Sequence, residues 1–227
     1  LEGARNIRVD GLQFACSGVL PFTDSSYTWT DPDAAVTVHD SQSIEILNCH
    51  FKSTGQSAIN FESTHHSKIG NCLMQYLGQS GIKLYESDDN TIRNCLIHDI
   101  GLRRVYCEGL SVHCSKNNAV SHLEIHNSAR YGITIRGRVS DAGNDRHPTM
   151  GNTFKYIRMQ DVNQDSGDTA GLHMAKINAE NGQDYINEFD QIIITRSIAQ
   201  PNITDEWKPT GVYLDHKKSV MNQSMRN

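Results

Sequence analysis

The sequence has no long apolar segment and few aromatic residues. No apolar run approaches the ~18 residues that a membrane-spanning helix needs, and Phe, Trp and Tyr together make up 7% of the chain. No apolar period of 3.6 residues is sustained, so an α-helical fold is not expected. We therefore predict neither a membrane partner nor a helical domain.

The chain also lacks an excess of positive charge. Its formal net charge is −5, with both signs interspersed along 227 residues. Proteins that bind nucleic acid usually carry a basic stripe for the phosphates, and the sequence contains none. A nucleic-acid partner is therefore not expected, and nothing in the sequence indicates an oligomeric state.

None of the six cysteines belongs to a Cys-x-x-Cys motif, so we predict no metal and no other cofactor. Three of them, Cys49, Cys72 and Cys95, are spaced by 23 residues, and each follows an asparagine. In a solenoid this spacing stacks like residues on one another. We expect buried thiols beside an inward asparagine ladder; a disulfide between stacked turns is left open.

What the sequence does contain is a repeated phrase: a small residue followed by apolar, polar, apolar and polar residues. Its seven versions begin at Ala35, Ala58, Gly81, Gly109, Gly132, Gly171 and Gly211. The steps between them are 23, 23, 28, 23, 39 and 40 residues. A repeat near 23 residues indicates a solenoid, and the alternation is typical of a strand with one buried face.

These features predict an all-β fold, a right-handed parallel β-helix with about three short strands per turn. Each turn of a solenoid contacts mainly its neighbours, so we expect a single domain over residues 1–227. Because solenoids need capped ends, we also expect a fragment of a longer protein, truncated at both ends. The last turns are longer than the others, which marks 137–216 as the functional half with long loops.

Two rows of side chains, at the second and fourth positions after the small residue, are expected to face outward. Neighbouring turns lie ~4.8 Å apart, so the rows form a continuous wall. This wall suits an extended polar ligand such as an oligosaccharide or polysaccharide; an ordinary solvated sheet is the alternative interpretation. The predicted substrate-binding residues in the rows are Lys83, Tyr85, His113, Arg136, His173 and Tyr213.

Two aspartates in the late turns, Asp168 and Asp215, are the candidate catalytic residues. Hydrolysis of a glycosidic bond takes one acid that protonates the leaving oxygen and one carboxylate that acts as base or nucleophile. On straight strands the two would lie ~23 Å apart, so the pair requires residues 164–170 to fold back. Trp207, in the loop before Asp215, is either a loop anchor or a platform for a sugar ring.

Several segments resemble right-handed β-helix carbohydrate-active enzymes, closest to glycoside hydrolase family 141, which contains fucosidase and xylanase activities. The resemblance covers nearly the whole chain, and its informative part is two late motifs, Asp168-Thr-Ala-Gly-Leu-His173 and Gly211-Val-Tyr-Leu-Asp215. The usual forms in such enzymes are Asp-Gly-Gly-Ala-Ile-Tyr and Gly-Ile-Tyr-Leu-Asp, and each contributes an aspartate thought to be catalytic. The resemblance implies a glycosidase that is secreted or periplasmic, with Asp168 and Asp215 as its catalytic pair.

Three functions remain open from the sequence. The first is a glycoside hydrolase that acts on a plant, algal or microbial polysaccharide through the two aspartates. The second is a polysaccharide lyase or uronate epimerase, in which Lys83, Tyr85, His113 and Arg136 supply a base and neutralise an acidic sugar. The third is a non-catalytic rod that binds glycans. We favour the hydrolase, because the long insertions coincide with the two aspartate motifs.

Overall fold

A computed structural model describes residues 1–18, 34–139, 146–167, 169–177, 186–197, 210–220 and 223–226. The strands in chain order are β1 (Arg8–Asp10), β2 (Gln13–Ala15), β3 (Ala34–His39), β4 (Glu45–Leu47), β5 (His50–Lys52), β6 (Ser57–Glu62), β7 (Lys68–Gly70), β8 (Leu73–Leu77), β9 (Ile82–Tyr85), β10 (Thr91–Ile100), β11 (Glu108–His113), β12 (Ala119–Ser128), β13 (Tyr131–Arg136), β14 (Arg138–Val139), β15 (Arg146–His147), β16 (Thr153–Val162), β17 (Ala170–Ile177), β18 (Asn187–Thr195), β19 (Thr210–Val220) and β20 (Gln223–Arg226).

All of these strands except β14 and β15, which pair with each other, form two parallel sheets, between which the chain winds from turn to turn. The first sheet has the order β19-β17-β13-β11-β9-β6-β3, and every version of the repeated phrase lies in it. The second sheet has eleven strands and contains β1, β4, β7, β10, β12, β16, β18 and β20 as its main path. The described residues contain no helix of the length and apolar character needed to cross a membrane. The predicted all-β parallel β-helix is confirmed.

The number of strands per turn changes along the coil. Early turns contribute three short strands, as predicted, whereas in later turns the second and third strands fuse into ten-residue strands such as β10 and β12. Each fused strand still bends at a residue with positive φ, namely Asn94, His122 or Tyr156. Asparagine tolerates this conformation best, but in-register pairing with the neighbouring turn holds the other side chains there as well.

The small residue of the phrase has a steric cause. A Cβ atom added to Gly81 would lie 2.7 Å from Ile97 Cγ2, and one added to Gly109 would lie 2.7 Å from Ile125 Cγ2. Ile97 and Ile125 belong to the second sheet and are fully buried. The small residue therefore faces the interior and lets the two sheets approach each other.

A buried column of asparagines joins successive turns at one corner. Each amide oxygen accepts a hydrogen bond from the backbone N–H of the equivalent residue one turn earlier, and each amide nitrogen donates to a carbonyl of that earlier turn. The members of the column are Asn90, Asn118, Asn152 and Asn187. Every buried polar group of these amides is thereby paired.

The asparagine ladder predicted beside the cysteines is on the surface instead. Asn48, Asn71 and Asn94 are exposed and have positive φ, so their side chains point away from the core and bond mainly to one another. The expectation of an inward ladder at these positions is wrong, because the left-handed bend reverses the direction of the side chain. The thiols that follow are buried as predicted, and none of the six cysteines forms a disulfide bond.

Replacement of Gly109 by alanine tests the steric role of the small residue. We expect Gly109→Ala to lower the free energy of unfolding by about 1–3 kcal/mol, since its Cβ would overlap Ile125 and the carbonyl of Gly132. Gly211→Ala is the matched control at the same repeat position. Among the described residues it has no atom within 4 Å of the added Cβ, and it should change stability by less than about 1 kcal/mol. Urea unfolding midpoints measure both, and equal effects would contradict the steric explanation.

Removal of one amide from the buried column tests how much the column contributes. Asn118→Ala leaves the Asn90 N–H and the Ser87 carbonyl without their partners, so a loss of about 2–5 kcal/mol is expected from two unpaired buried groups. The control is Asn71→Gly on the exposed ladder, because glycine keeps the positive φ without strain. A stability loss in Asn118→Ala no larger than that of Asn71→Gly would show that the column is dispensable.

Candidate functional site

The register of the first sheet aligns the two predicted rows across the turns. Lys83, Ser111, Thr134, His173 and Tyr213 are successive register partners in the second-position row. In the fourth-position row the successive partners are Tyr85, His113, Arg136, Ala175 and Asp215. The rows inferred from the repeat are therefore present in the folded chain.

Exposure of the rows differs from the expectation. The second-position row is buried at Lys83, Thr134 and His173, so it does not form an open strip. The fourth-position row is more accessible, and Asp215 keeps 27% of its side-chain surface exposed. The prediction of a continuous open wall is wrong for the second-position row, since long side chains of adjacent turns, such as Tyr131 over His173, cover it.

The early part of the wall is held by the insertion after β13. Strands β14 and β15 pair antiparallel, and Arg138 Nη1 donates a hydrogen bond of 2.9 Å to the hydroxyl of Tyr85. Arg138 also lies 3.4 Å from a carboxylate oxygen of Glu86, and the ring of His113 meets that of Tyr85 edge-on at 5.1 Å. The predicted binding residue Tyr85 thus contacts both this insertion and His113, at a part of the coil separated from Asp215.

The late part of the wall brings together four of the predicted residues: Arg136, His173, Tyr213 and Asp215. His173 Nε2 lies 3.7 Å from Asp215 Oδ2, and the His173 and Tyr213 rings are 5.5 Å apart between centroids. The register partner of Asp215 is Ala175, whose short side chain leaves room for the carboxylate beside the imidazole. The site therefore combines a partly exposed acid with an almost completely buried histidine.

Two residues that precede the repeated phrase also belong to the site, and the sequence pattern did not single them out. The ring of Tyr131 stacks on His173 at 4.6 Å with an interplanar angle of 17°. The guanidinium of Arg130 lies 4.6 Å from the Tyr131 ring centroid and 3.9 Å from that of Tyr106. In a strict alternation the small residue, here Gly132, would face outward and Tyr131 would face the core. Gly132 instead turns toward the core, so Tyr131 before it faces outward.

The electrostatic environment keeps His173 neutral. Burial above all, and then the positive charges of Arg136 and Arg130, lower its pKa to about 4 against the opposing effect of Asp215. Burial likewise lowers the pKa of Arg136, against the opposing effect of Tyr131, Glu108 and Asp215. A neutral imidazole that faces a carboxylate is expected to carry its proton on the facing nitrogen, so Nε2–H points toward Asp215.

Two polar atoms at the base of the site are buried without a hydrogen-bond partner among the described residues. These are His173 Nδ1 and the hydroxyl oxygen of Thr134. They belong to register partners on adjacent strands, β17 and β13. Buried polar groups are paired in most proteins, so this pair of atoms identifies a place where a ligand can supply the missing hydrogen bonds.

Two further predicted residues, Asp168 and Trp207, lie outside the described residues, and their roles stay predictions. The residues before Asp168 pack on the turn of Arg130, since Asn163 N–H donates to the carbonyl of Arg130 at 2.9 Å. On its other side, Thr169 is buried, and its hydroxyl lies 2.6 Å from the side-chain amide of Asn163.

Within the described part of the chain, no three His, Cys, Asp or Glu side chains are grouped as a metal site requires.

Solved structures with a similar fold include several proteins named for their action on carbohydrates. A protein named glycoside hydrolase matches with a TM-score of 0.56 and 13% identity, over 85% of this chain and 38% of that one. The alginate lyase from Paenibacillus sp. str. FPU-7 matches with a TM-score of 0.52 and 12% identity, over 86% of this chain and 76% of the lyase. The enzymatically active domain of tailspike protein 2 from bacteriophage CBA120 matches with a TM-score of 0.58 and 9% identity, over 92% of this chain and 35% of the tailspike chain.

At these identities the likeness demonstrates a shared fold only. The chain spans about a third of the length of the glycoside hydrolase and the tailspike protein. The narrower resemblance to glycoside hydrolase family 141 stays a prediction. No curated protein matches the sequence. A family model described as a right handed beta helix region matches residues 4–146, more than half of the chain, and the chain therefore belongs to the right-handed β-helix family.

Proposed function

We propose that this chain is part of a carbohydrate-active β-helix enzyme that hydrolyses glycosidic bonds, with Asp215 and Asp168 as the carboxylate pair. The observation that carries the proposal is the placement of Asp215, partly exposed at the end of the wall and 3.7 Å from the buried imidazole of His173. The fold similarity to a glycoside hydrolase is consistent with it. The finer assignment to glycoside hydrolase family 141 belongs to the same proposal.

We assign the two aspartates different roles. Asp215 is partly exposed and lies 3.7 Å from His173 Nε2, so it is accessible to a sugar as the base or nucleophile. Asp168 then acts as the acid that protonates the leaving oxygen. The separation of the two carboxyl groups decides between retention, at about 5–5.5 Å, and inversion, at about 6.5–9.5 Å.

The remaining predicted residues bind the substrate in this proposal. Tyr213 and Arg136 are partly exposed beside Asp215 and contact the sugar at the reacting bond, and Trp207 provides a stacking platform from its loop. Lys83, Tyr85 and His113 line the part of the wall that the β14–β15 insertion contacts. A polysaccharide substrate of plant, algal or microbial origin places the enzyme outside the cytoplasm, secreted or periplasmic.

Replacement of each proposed catalytic aspartate by asparagine tests the hydrolase directly. We expect Asp215→Asn and Asp168→Asn in the full-length protein to reduce hydrolysis by about 10²–10⁴-fold while the fold is retained, because the amide can neither accept nor donate the proton. New reducing ends from a panel of polysaccharides are the measurement, and Asp190→Asn on the second sheet is the control.

Other outcomes of the same assay separate the alternative functions. Products with ultraviolet absorbance would indicate an unsaturated sugar and therefore a lyase. Binding without any new reducing ends would indicate a glycan-binding rod. Full hydrolytic activity in both aspartate variants would refute the proposed pair.

The neutral state of His173 gives a prediction that needs no substrate. Its pKa of about 4 lies below the ordinary 6.5, so the folded protein binds fewer protons than the unfolded chain between these values. The free energy of unfolding should therefore decrease as the pH falls through this window. His173 alone should lower it by roughly 2–3 kcal/mol between pH 7 and pH 4.5.

The measurement compares urea unfolding of the wild type and of His173→Gln at the two pH values. The variant lacks the titrating group, so its stability should depend less on pH than that of the wild type. His66→Gln removes an exposed histidine elsewhere and should keep the wild-type dependence. Identical pH dependence of the wild type and His173→Gln would show that His173 is not held neutral.

A further inference from the structure

The base of the site offers one hydrogen-bond donor and one acceptor side by side. The hydroxyl of Thr134 can donate a proton, and the Nδ1 atom of His173 can accept one when Nε2 carries the proton that faces Asp215. Thr134 and His173 are 0% and 1% exposed, and both atoms have no hydrogen-bond partner among the described residues. A ligand that satisfies both atoms must itself present an acceptor next to a hydroxyl.

Positive charge dominates around these two atoms. Arg130 is buried, and its guanidinium is held over the rings of Tyr106 and Tyr131, so it stays near the base of the site. Arg136 is the register neighbour of Ala175, so one strand separates it from Asp215, and its effect on the pKa of His173 exceeds that of Asp215. One nearby acid, Glu108, already accepts a hydrogen bond of 2.8 Å from Ser80.

We propose that the site binds an acidic sugar, whose anionic group lies against Arg136 and the Thr134 hydroxyl while a neighbouring sugar hydroxyl donates to His173 Nδ1. The arginine and the hydroxyl are donors that match the oxygens of a carboxylate or a sulfate ester. The imidazole nitrogen is an acceptor that matches a sugar hydroxyl. The inference rests on the proposed function, since it names the substrate class of the same site.

Access to this subsite is from the side of Asp215. Arg136, Tyr213 and Asp215 are partly exposed, whereas Thr134 and His173 lie beneath them. A sugar that enters over Tyr213 therefore places its anionic group next to Arg136, with its ring close to the Asp215 carboxylate. This arrangement explains why a site with a catalytic carboxylate also holds two arginines, of which Arg130 is buried and Arg136 partly exposed.

The test measures binding to the full-length Asp215→Asn protein by calorimetry, with neutral and acidic tetrasaccharides of matched stereochemistry. The probes are galactotetraose against tetragalacturonate, mannotetraose against tetramannuronate, and sulfated against unsulfated galactotetraose. We expect at least one acidic tetramer to bind at least 10-fold more tightly than its neutral counterpart. The uronate and sulfate pairs distinguish which anionic group is recognised.

A second pair of variants assigns the preference to the site. Arg136→Met keeps most of the apolar stem of the side chain and removes the charged guanidinium. In the Asp215→Asn background it should lose about 10-fold or more of the affinity for the preferred acidic tetramer. The loss of affinity for the neutral tetramer should be smaller than this, because that tetramer has no anionic group to pair with Arg136. Arg158→Met, on the exposed face of the second sheet, is the matched control and should retain the preference.

The outcomes separate this inference from the proposed hydrolysis. Tighter binding of an acidic tetramer without cleavage by the wild type supports the acidic subsite and contradicts the hydrolase. Cleavage of a neutral glycan with no acidic preference supports the hydrolase and overturns the acidic subsite. Equal affinities within every pair, no binding of any acidic tetramer at millimolar concentration, or a preference unchanged by Arg136→Met would each overturn the inference. If Arg136→Met does not fold, Thr134→Val provides the same comparison.

Discussion

Each turn of this chain depends on the turn before it through hydrogen bonds that run along the coil. The sheets supply backbone bonds, and the buried column from Asn90 to Asn187 pairs the polar groups at the corner where the chain leaves the sheets. An unpaired amide there would be buried away from water, so successive turns must stack in register. Register in turn decides which side chains meet, and the rows of the wall follow from it.

The stacking also explains why a functional site can be built without a change of fold. Positions of the first sheet that are filled by Thr37, Asn60 and Ser111 in early turns carry His173 and Tyr213 in the last turns. The backbone is the same, and only the side chains and the loops differ. Function in a solenoid therefore resides in departures from the repeat rather than in the repeat itself.

Burial gives these departures their chemistry. His173 is covered by Tyr131 and faces Asp215, and its burial keeps the imidazole neutral beside a carboxylate. Arg130 is retained near the same place by two tyrosine rings. A group of buried charges and unsatisfied polar atoms is unfavourable for folding alone, and such groups are characteristic of sites where a ligand completes the hydrogen bonding.

The repeated phrase was sufficient to predict the coil, the alignment of the two rows and the position of Asp215 in the outer row. These features follow from local rules, since apolar residues at alternate positions must face the core and equal spacing must stack. The same rules failed at Asn48, Asn71 and Asn94, where a positive φ turns the side chain outward. The period of apolar residues along the sequence does not predict where the backbone adopts a positive φ.

Only the tertiary structure decided that Tyr131 and Arg130 belong to the site, that the insertion after β13 holds Tyr85, and that Thr134 and His173 are buried. The physical reason is that the sequence determines the side of the strand on which a residue lies. What covers that residue depends on side chains from other turns. Tyr131, which covers His173, lies 42 positions before it, and Arg138, which binds Tyr85, lies 53 positions after it. No periodic signal in the chain encodes those contacts.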